Sequence, residues 1–259
     1  MNNIAILVLS CDKYADIWDP FFINFYEKWP DNNYPVYLLS NNEVYGKYGV
    51  KTICVGQDIT WSANLKTALS KISEENILTV FDDLFIINKI NSKIIEEMMD
   101  VFQEREMNYL RLNPFPQPTG EKYKNVGVVR RGELYRSSAV FSIWRKEVLL
   151  DILDEKENAW QFEIMGSTRT DKYDKWYSSL NITIPFLNLI VKGKYDPRAY
   201  DALKKQGIVL PDSREIMTTK ELYVNIIKEY RSYIFQKIIP WNIRREMRQK
   251  FDDFREFGK

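Results

Sequence analysis

The chain has 259 residues with 37 basic and 36 acidic side chains, two cysteines and no histidine. Near-neutral charge excludes a whole-chain basic field for nucleic acid. The missing imidazole excludes Ser-His-Asp and Cys-His triads and His-ligated zinc. Apolar residues make up 45% of the chain, too many for a mainly disordered polymer, so any chemistry falls to carboxylates, Lys, Tyr or an oxygen-ligated metal.

Ile4–Leu9 is a continuous apolar run ending in Ser10-Cys11-Asp12, which predicts a parallel strand buried on both faces with a polar end. Leu7–Cys11 has the look of a lipoprotein cleavage box. Its apolar stretch is too short and no basic residues precede it, so the expectation is a chain without a leader. Asp19-Pro20 predicts a helix start, with Asp19 as cap, and Trp29-Pro30 its end. Val36–Leu39 and Lys51–Val55 predict two further strands. Cys11 and Cys54 read as buried free thiols. Ser62 is expected to cap a helix reaching Ile72, and Ile77–Phe81 is a fourth strand with Asp82-Asp83 at its end. A helix over Ile94–Glu106 and a strand over Tyr109–Leu112 complete an alternating pattern that predicts an α/β sheet with crossover helices.

Beyond that point the pattern loosens. Asn113–Gly120 reads as a proline-rich loop, Val126–Arg130 and Ser138–Ile143 as strands, and Trp144–Leu153 as a helix. Glu157–Thr170 has no clear period, Asn181–Val191 is a strand candidate, and the chain from Pro197 is mostly helical with a break at Val209–Arg214. Two units are expected: residues 1–196 as the catalytic domain and 197–259 as a helical extension. Residues 231–259 hold eight basic and four acidic side chains, against 29 and 32 in the rest. Ile243, Met247, Phe251, Phe254 and Phe257 recur at helical spacing there, which fits either an interfacial helix or packing on the main domain. No run approaches the roughly 18 apolar residues needed to cross a bilayer. The expected location is cytoplasmic, with the basic extension as the part able to meet the membrane face.

Ligands on parallel sheets bind beyond the carboxyl ends of the strands. Those ends carry Asp12, Asn41 and Asp82-Asp83. Two adjacent carboxylates between apolar residues repel each other and resist burial, and a divalent cation would relieve both costs. A strand-to-turn junction with capping aspartates is the plain alternative. Trp61-Ser62-Ala63-Asn64-Leu65-Lys66 opens a helix whose free N–H groups, with Lys66, suit a phosphate; simple capping and packing would leave the same trace. Trp160-Gln161-Phe162-Glu163 places a carboxylate among aromatics, as a general base or as a surface acid beside core rings. Arg130, Arg131 and Arg136 could clamp a diphosphate, but ordinary solvated surface arginines are the commoner reading of such residues.

The ordered set Ser10-x-Asp12, Trp18-x-Pro20-Phe21-Phe22, Trp29-Pro30, Trp61-Ser62-x-Asn64-Leu65, Asp82-Asp83-Leu84-Phe85, Ile143-Trp144-Arg145 and Trp160-x-Phe162-Glu163 resembles the GT-A-type glycosyltransferases of bacterial capsule and O-antigen clusters. The resemblance covers roughly residues 4–195. It implies a Rossmann-like mixed sheet flanked by helices, and a nucleotide-diphosphate sugar donor, UDP-sugar favoured, at the strand ends. It places Ser10, Asp12, Trp61, Asn64, Lys66, Asp82 and Asp83 around that donor, with Asp83 the ligand of Mn²⁺ or Mg²⁺. Position 81 is Phe and position 84 Leu, so the family's D-x-D is incomplete. Glu163 takes the place of the acceptor-activating base of inverting members. The implied acceptor is a saccharide or lipid-linked oligosaccharide at the inner-membrane surface, and no nucleic acid is expected. Two alternatives stay open: a sugar nucleotidylyltransferase, against which stands the lack of glycine after the first strand, and a non-catalytic carbohydrate- or membrane-binding protein on the same scaffold.

Overall fold

The computed structural model describes residues 3–240, 242–244 and 246–247. Its centre is a nine-stranded mixed sheet. Strand β1 (Ile4–Leu9) lies between β2 (Val36–Ser40) and β4 (Asn76–Phe81), and β3 (Lys51–Cys54) forms the edge beyond β2; these four are parallel. Strand β5 (Leu84–Ile86) leaves the sheet after a two-residue turn at Asp82-Asp83. On the other side of β4 the order continues through β9 (Ser142–Arg145), β6 (Tyr109–Arg111), β10 (Trp176–Ser179), β8 (Val126–Val128) and β7 (Lys122–Tyr123). β9 runs antiparallel to both its neighbours, so β6 and β10 point the same way as β4. Their carboxyl ends all reach one edge of the sheet.

Every residue of β1 is buried, and its alternation divides two cores. Ile4, Ile6 and Val8 face α1 (Trp18–Lys28) and α3 (Ser92–Glu104), against Phe21, Phe22, Phe25, Met99 and Phe102. Ala5, Leu7 and Leu9 face α2 (Trp61–Ser70) and α4 (Lys146–Ile152), against Leu65, Leu69, Trp144 and Trp176. Burying each large side chain stabilises by about 1.5–3 kcal/mol, and the result is a helix–sheet–helix sandwich.

The chain has several features that the sequence pattern did not show. α1 begins at Trp18 after a 3-10 turn over Asp12–Ile17, so Asp19 lies inside the helix and binds the Tyr45 hydroxyl at 2.8 Å instead of capping. Thr60, not Ser62, caps α2, accepting from Ala63 N at 3.1 Å. The strand expected at Ser138–Ile143 falls at Ser142–Arg145, because Phe141 takes a left-handed φ of 44° that breaks extension before it. β10 at Trp176–Ser179 lies ahead of the expected Asn181–Val191, which holds only the short β11 (Phe186–Asn188) and β12 (Ile190–Val191). Arg136 is not a surface clamp. It is 1% exposed, donates to the carbonyls of Val129, Thr170 and Tyr173, and lies 4.7 Å over the Trp176 ring. Arg131 pairs with Asp174. Cys11 and Cys54 are free, as expected, but half-buried.

Strand β13 (Lys194–Tyr195), helix α7 (Pro197–Lys205) and helix α8 (Thr219–Ile238) follow. The extension is tied to the sandwich at several points. Tyr195 bridges to Ile216, Arg214 pairs with Asp16, and Arg244 pairs with Glu133 at 3.1 Å, both side chains of that last pair being at most 5% exposed. Arg244 therefore points inward, away from the basic surface expected of this stretch. Phe251, Phe254 and Phe257 lie outside the described residues. No helix among the described residues is long and apolar enough to cross a membrane.

Candidate active site

Beyond the carboxyl ends of β1, β2 and β4 lies a cavity of about 470 Å³, lined by Ser10, Cys11, Tyr14, Asp58, Trp61, Asn64, Phe81, Asp82 and Asp83, among others. Trp61, at the first position of α2, stacks on Phe81 with centroids 6.3 Å apart and planes 15° apart. Asn64, one turn later, donates to Asp58 at 2.8 Å. The wall of the cavity is thus an aromatic plate edged by an amide and a carboxylate.

The acidic turn is held from three directions. Asn24 of α1 brackets Ile86 with two hydrogen bonds, at 3.0 and 2.8 Å, and so fixes β5 directly after the turn. β11 pairs antiparallel with β5. Leu189 N donates to the Asp83 carbonyl at 2.8 Å. Asp82 is 3% exposed, and its carboxylate accepts from the Ser10 hydroxyl, which in turn accepts from Trp18 Nε1 at 2.7 Å. Burial and the neighbouring Asp83 push the Asp82 carboxyl well above the usual range. Burial also raises Asp83, to about 6, against the pull of Arg214. Two desolvated carboxyl groups side by side hold a proton more readily than two charges.

Among the described residues no group of three acidic or Cys side chains clusters as a ready-made metal cage. The donor set still fits Mg²⁺ or Mn²⁺, hard ions that use one or two carboxylates with phosphate oxygens. Asp83 lines the cavity, and among the described residues no side chain donates a hydrogen bond to it.

Two of the expected donor-site residues are committed elsewhere. The Asp12 carboxylate accepts from the backbone N–H groups of Asn41, Asn42 and Glu43, at 2.9–3.2 Å, and against the opposing effect of its slight burial these bonds hold its pKa below the ordinary carboxylate value. It braces the loop after β2 and does not line the cavity. Lys66 points to Glu155 at 2.8 Å on the surface. Ser10, Trp61, Asn64, Asp82 and Asp83 are brought together.

Glu163 is not among the residues lining that cavity; it lies beside Arg111, whose strand β6 ends at the same sheet edge. The loop before it docks on the start of α2: Ser62 N donates to the Glu157 carbonyl at 3.1 Å, and Thr60 donates to the Glu155 carbonyl. An Asn158–Gln161 capping box then starts the helical turn α5 (Ala159–Gln161), which widens into a π turn over Phe162–Gly166 before α6 (Ser167–Arg169). A π turn adds a residue per turn, so the absence of a period here has a structural cause; such turns are frequent at functional sites. Phe162 packs on Trp61 at 5.3 Å, joining this segment to the cavity wall. Ser137 donates to the Phe162 carbonyl at 2.9 Å, and Ser138 donates to Glu163 Oε1 at 2.6 Å. Burial raises the Glu163 carboxyl, with Ser138 and the charge of Arg111 opposing. A buried carboxyl lifted towards neutrality is suited to take a proton.

Two contributors were not singled out in the sequence. Tyr14 lines the cavity, its hydroxyl pushed up to about 12 by burial and the aspartates. Arg111, at the end of β6, is buried beside Glu163. A basic residue closing a strand is the only trace Arg111 leaves in the sequence.

No protein-family model and no curated protein matches this chain. Solved structures do. Staphylococcus aureus TarS 1-349 in complex with UDP-GlcNAc aligns with a TM-score of 0.52 over 93% of this chain and 69% of that one, at 10% identity. A UDP-glucose pyrophosphorylase complexed with UDP-glucose aligns with a TM-score of 0.51, over 80% and 99% of the two chains at 9% identity. A UTP-bound UGPase from Acinetobacter baumannii gives 0.50, over 88% and 99%, also at 9% identity. At such identities the likeness is one of fold: the chain has the GT-A-like mixed α/β architecture that its sequence led us to expect.

Proposed function

We propose that this protein is a glycosyltransferase that moves a sugar from a nucleotide-diphosphate donor, UDP-sugar favoured, to a saccharide hydroxyl, by single displacement. The observation that carries the reading is the placement of a buried acidic turn, Asp82-Asp83, in an aromatic-walled cavity, with Glu163 held on the same sheet edge. TarS and the pyrophosphorylase, solved with UDP-GlcNAc and UDP-glucose, share the fold and add weight to a nucleotide-sugar donor.

In this reading Trp61 offers its ring to the flat base or sugar face, and Asn64 and Asp58 offer polar edges. Asp83 would hold Mg²⁺ or Mn²⁺, with Asp82 fixed by Ser10 behind it. The ion, when bound, offsets negative charge on the leaving diphosphate. Glu163 removes the proton of the acceptor hydroxyl as that oxygen attacks the anomeric carbon, and Ser138 fixes the direction of its carboxylate. An acceptor in surface-polysaccharide synthesis, reached at a membrane face, belongs to the same proposal.

A nucleotidylyltransferase shares this scaffold but needs a loop that wraps a triphosphate. Residues 10–17 here contain no glycine and coil into a 3-10 turn directly after β1, which favours transfer over nucleotidyl chemistry. The test is incubation with a panel of nucleotide sugars, with mass spectrometry of the products. Release of nucleoside diphosphate, faster with a saccharide present, supports the reading. Pyrophosphate release from a nucleoside triphosphate and a sugar phosphate overturns it.

A further inference from the structure

Arg111 closes β6 at the level of Ser142 on β9, which itself faces Thr79 of β4. It therefore stands at the same sheet edge as the acidic turn, on the side of Glu163. Only 8% of the residue is exposed, and its Nε is buried with no hydrogen-bond partner. Its terminal nitrogens make no hydrogen bond to any described residue either. Guanidinium carries five donors in a rigid fork and stays charged at any physiological pH. Burying such a charge is strongly unfavourable unless an anion answers it.

No ion pair with a described residue answers it. Glu163 is close enough for each group to feel the other's charge, but its Oε1 is held by Ser138 and no ion pair joins it to Arg111. The Tyr109 hydroxyl, also next to Arg111, bonds to the Ser138 carbonyl and to Ser142 Oγ, and it offers no carboxylate. The fork is thus built into the protein with its donors open, next to the group that takes the acceptor's proton.

We propose that Arg111 receives an oxyanion group of the acceptor, a carboxylate or a phosphate, beside the hydroxyl that Glu163 deprotonates. The acceptor class is then an acidic or phosphorylated saccharide. This assignment rests on the glycosyltransferase reading for the role of Glu163.

The experiment is ligand-observed NMR titration of the full chain saturated with UDP and Mg²⁺, so that the donor cavity is filled. Probes are glucuronate, its neutral methyl ester, glucose 6-phosphate and glucose. At least one anion is expected to bind about tenfold tighter than its neutral counterpart, the gain of a charge-assisted fork contact; which anion does so separates carboxylate from phosphate. Arg111→Gln should abolish the preference, and Arg111→Lys, which keeps the charge but not the fork, should retain part of it. Equal binding of charged and neutral probes, binding of neither anion, or a preference that survives Arg111→Gln overturns the proposal. Should Arg111→Gln fail to fold, the wild-type comparison of charged and neutral probes decides alone. A separate UDP titration distinguishes the two readings: lost UDP binding counts against the donor site and leaves the probe comparison intact.

Discussion

The Arg214 guanidinium lies 4.6 Å over the ring of Tyr14 while it grips the Asp16 carboxylate through Nε at 2.9 Å and Nη2 at 2.7 Å. Tyr14 lines the cavity, and Arg214 comes from the non-helical segment between α7 and α8. One side chain of the extension thus sets both the position of a cavity wall and the charge felt by Asp83. Arg214→Ala should destabilise the protein by about 2 kcal/mol, the scale of breaking a partly buried ion pair, and weaken nucleotide binding several-fold. Chemical denaturation and calorimetry with UDP measure the two effects. Unchanged nucleotide affinity would separate the extension from the site.

The acidic turn makes the unliganded protein sensitive to pH. Both Asp82 and Asp83 have raised pKa values, Asp83 to about 6, so the folded state holds protons that the unfolded chain releases near 4. That contribution to stability is complete below about pH 4 and disappears as pH rises through 6 and beyond. Asp83→Asn should therefore raise the melting temperature of the unliganded protein at pH 7.5 by a few degrees, about 1 kcal/mol, while weakening donor binding. A divalent cation competes with the same protons, so nucleotide affinity in its presence should grow between pH 5.5 and 7.5. Scanning calorimetry and a pH series of titrations test both.

Glu163→Gln keeps the shape and the Ser138 contact but cannot take a proton. Transfer should fall by about 10²–10⁴-fold with UDP affinity unchanged. A variant that transfers at near wild-type rate removes Glu163 from the base role.

Gly166 closes the π turn. A Cβ there would stand 2.9 Å from Ser137 Oγ and 3.1 Å from the Phe162 ring. Gly166→Ala should cost about 1–3 kcal/mol of stability and, by shifting the turn that carries Glu163, lower kcat more than donor affinity. Equal loss in both would mean that the turn is structural only.

The parallel half of the sheet was legible because strands buried on both faces leave unbroken apolar runs, and because Asp82-Asp83 interrupts one of them. The site was legible where polar residues end those strands: Ser10, Trp61, Asn64, Asp82 and Asp83 meet in one cavity. Asp12 and Lys66 show the limit. Their side chains have partners, the N–H groups of the loop after β2 and Glu155, that lie about 30 and 90 residues away in sequence, and no local pattern reports such distant pairs. β10 was missed because Trp176–Ser179 is four residues long and its neighbours β6 and β8 come from much earlier in the chain. Arg136 escapes a local reading in a similar way, since two of the three carbonyls that hold it, Thr170 and Tyr173, belong to one turn more than 30 residues away.

The buried pairing of Arg244 with Glu133 changes how any membrane attachment has to be approached. A chain cut ahead of residue 231 loses the guanidinium that sits on a carboxylate only 1% exposed, and its behaviour towards vesicles would then reflect a wounded sandwich as much as a lost anchor. Outward-facing positions such as Ile238 and Ile243 can be made polar one at a time with that pair intact, so point changes, rather than truncation, are the instrument for asking what the tail touches.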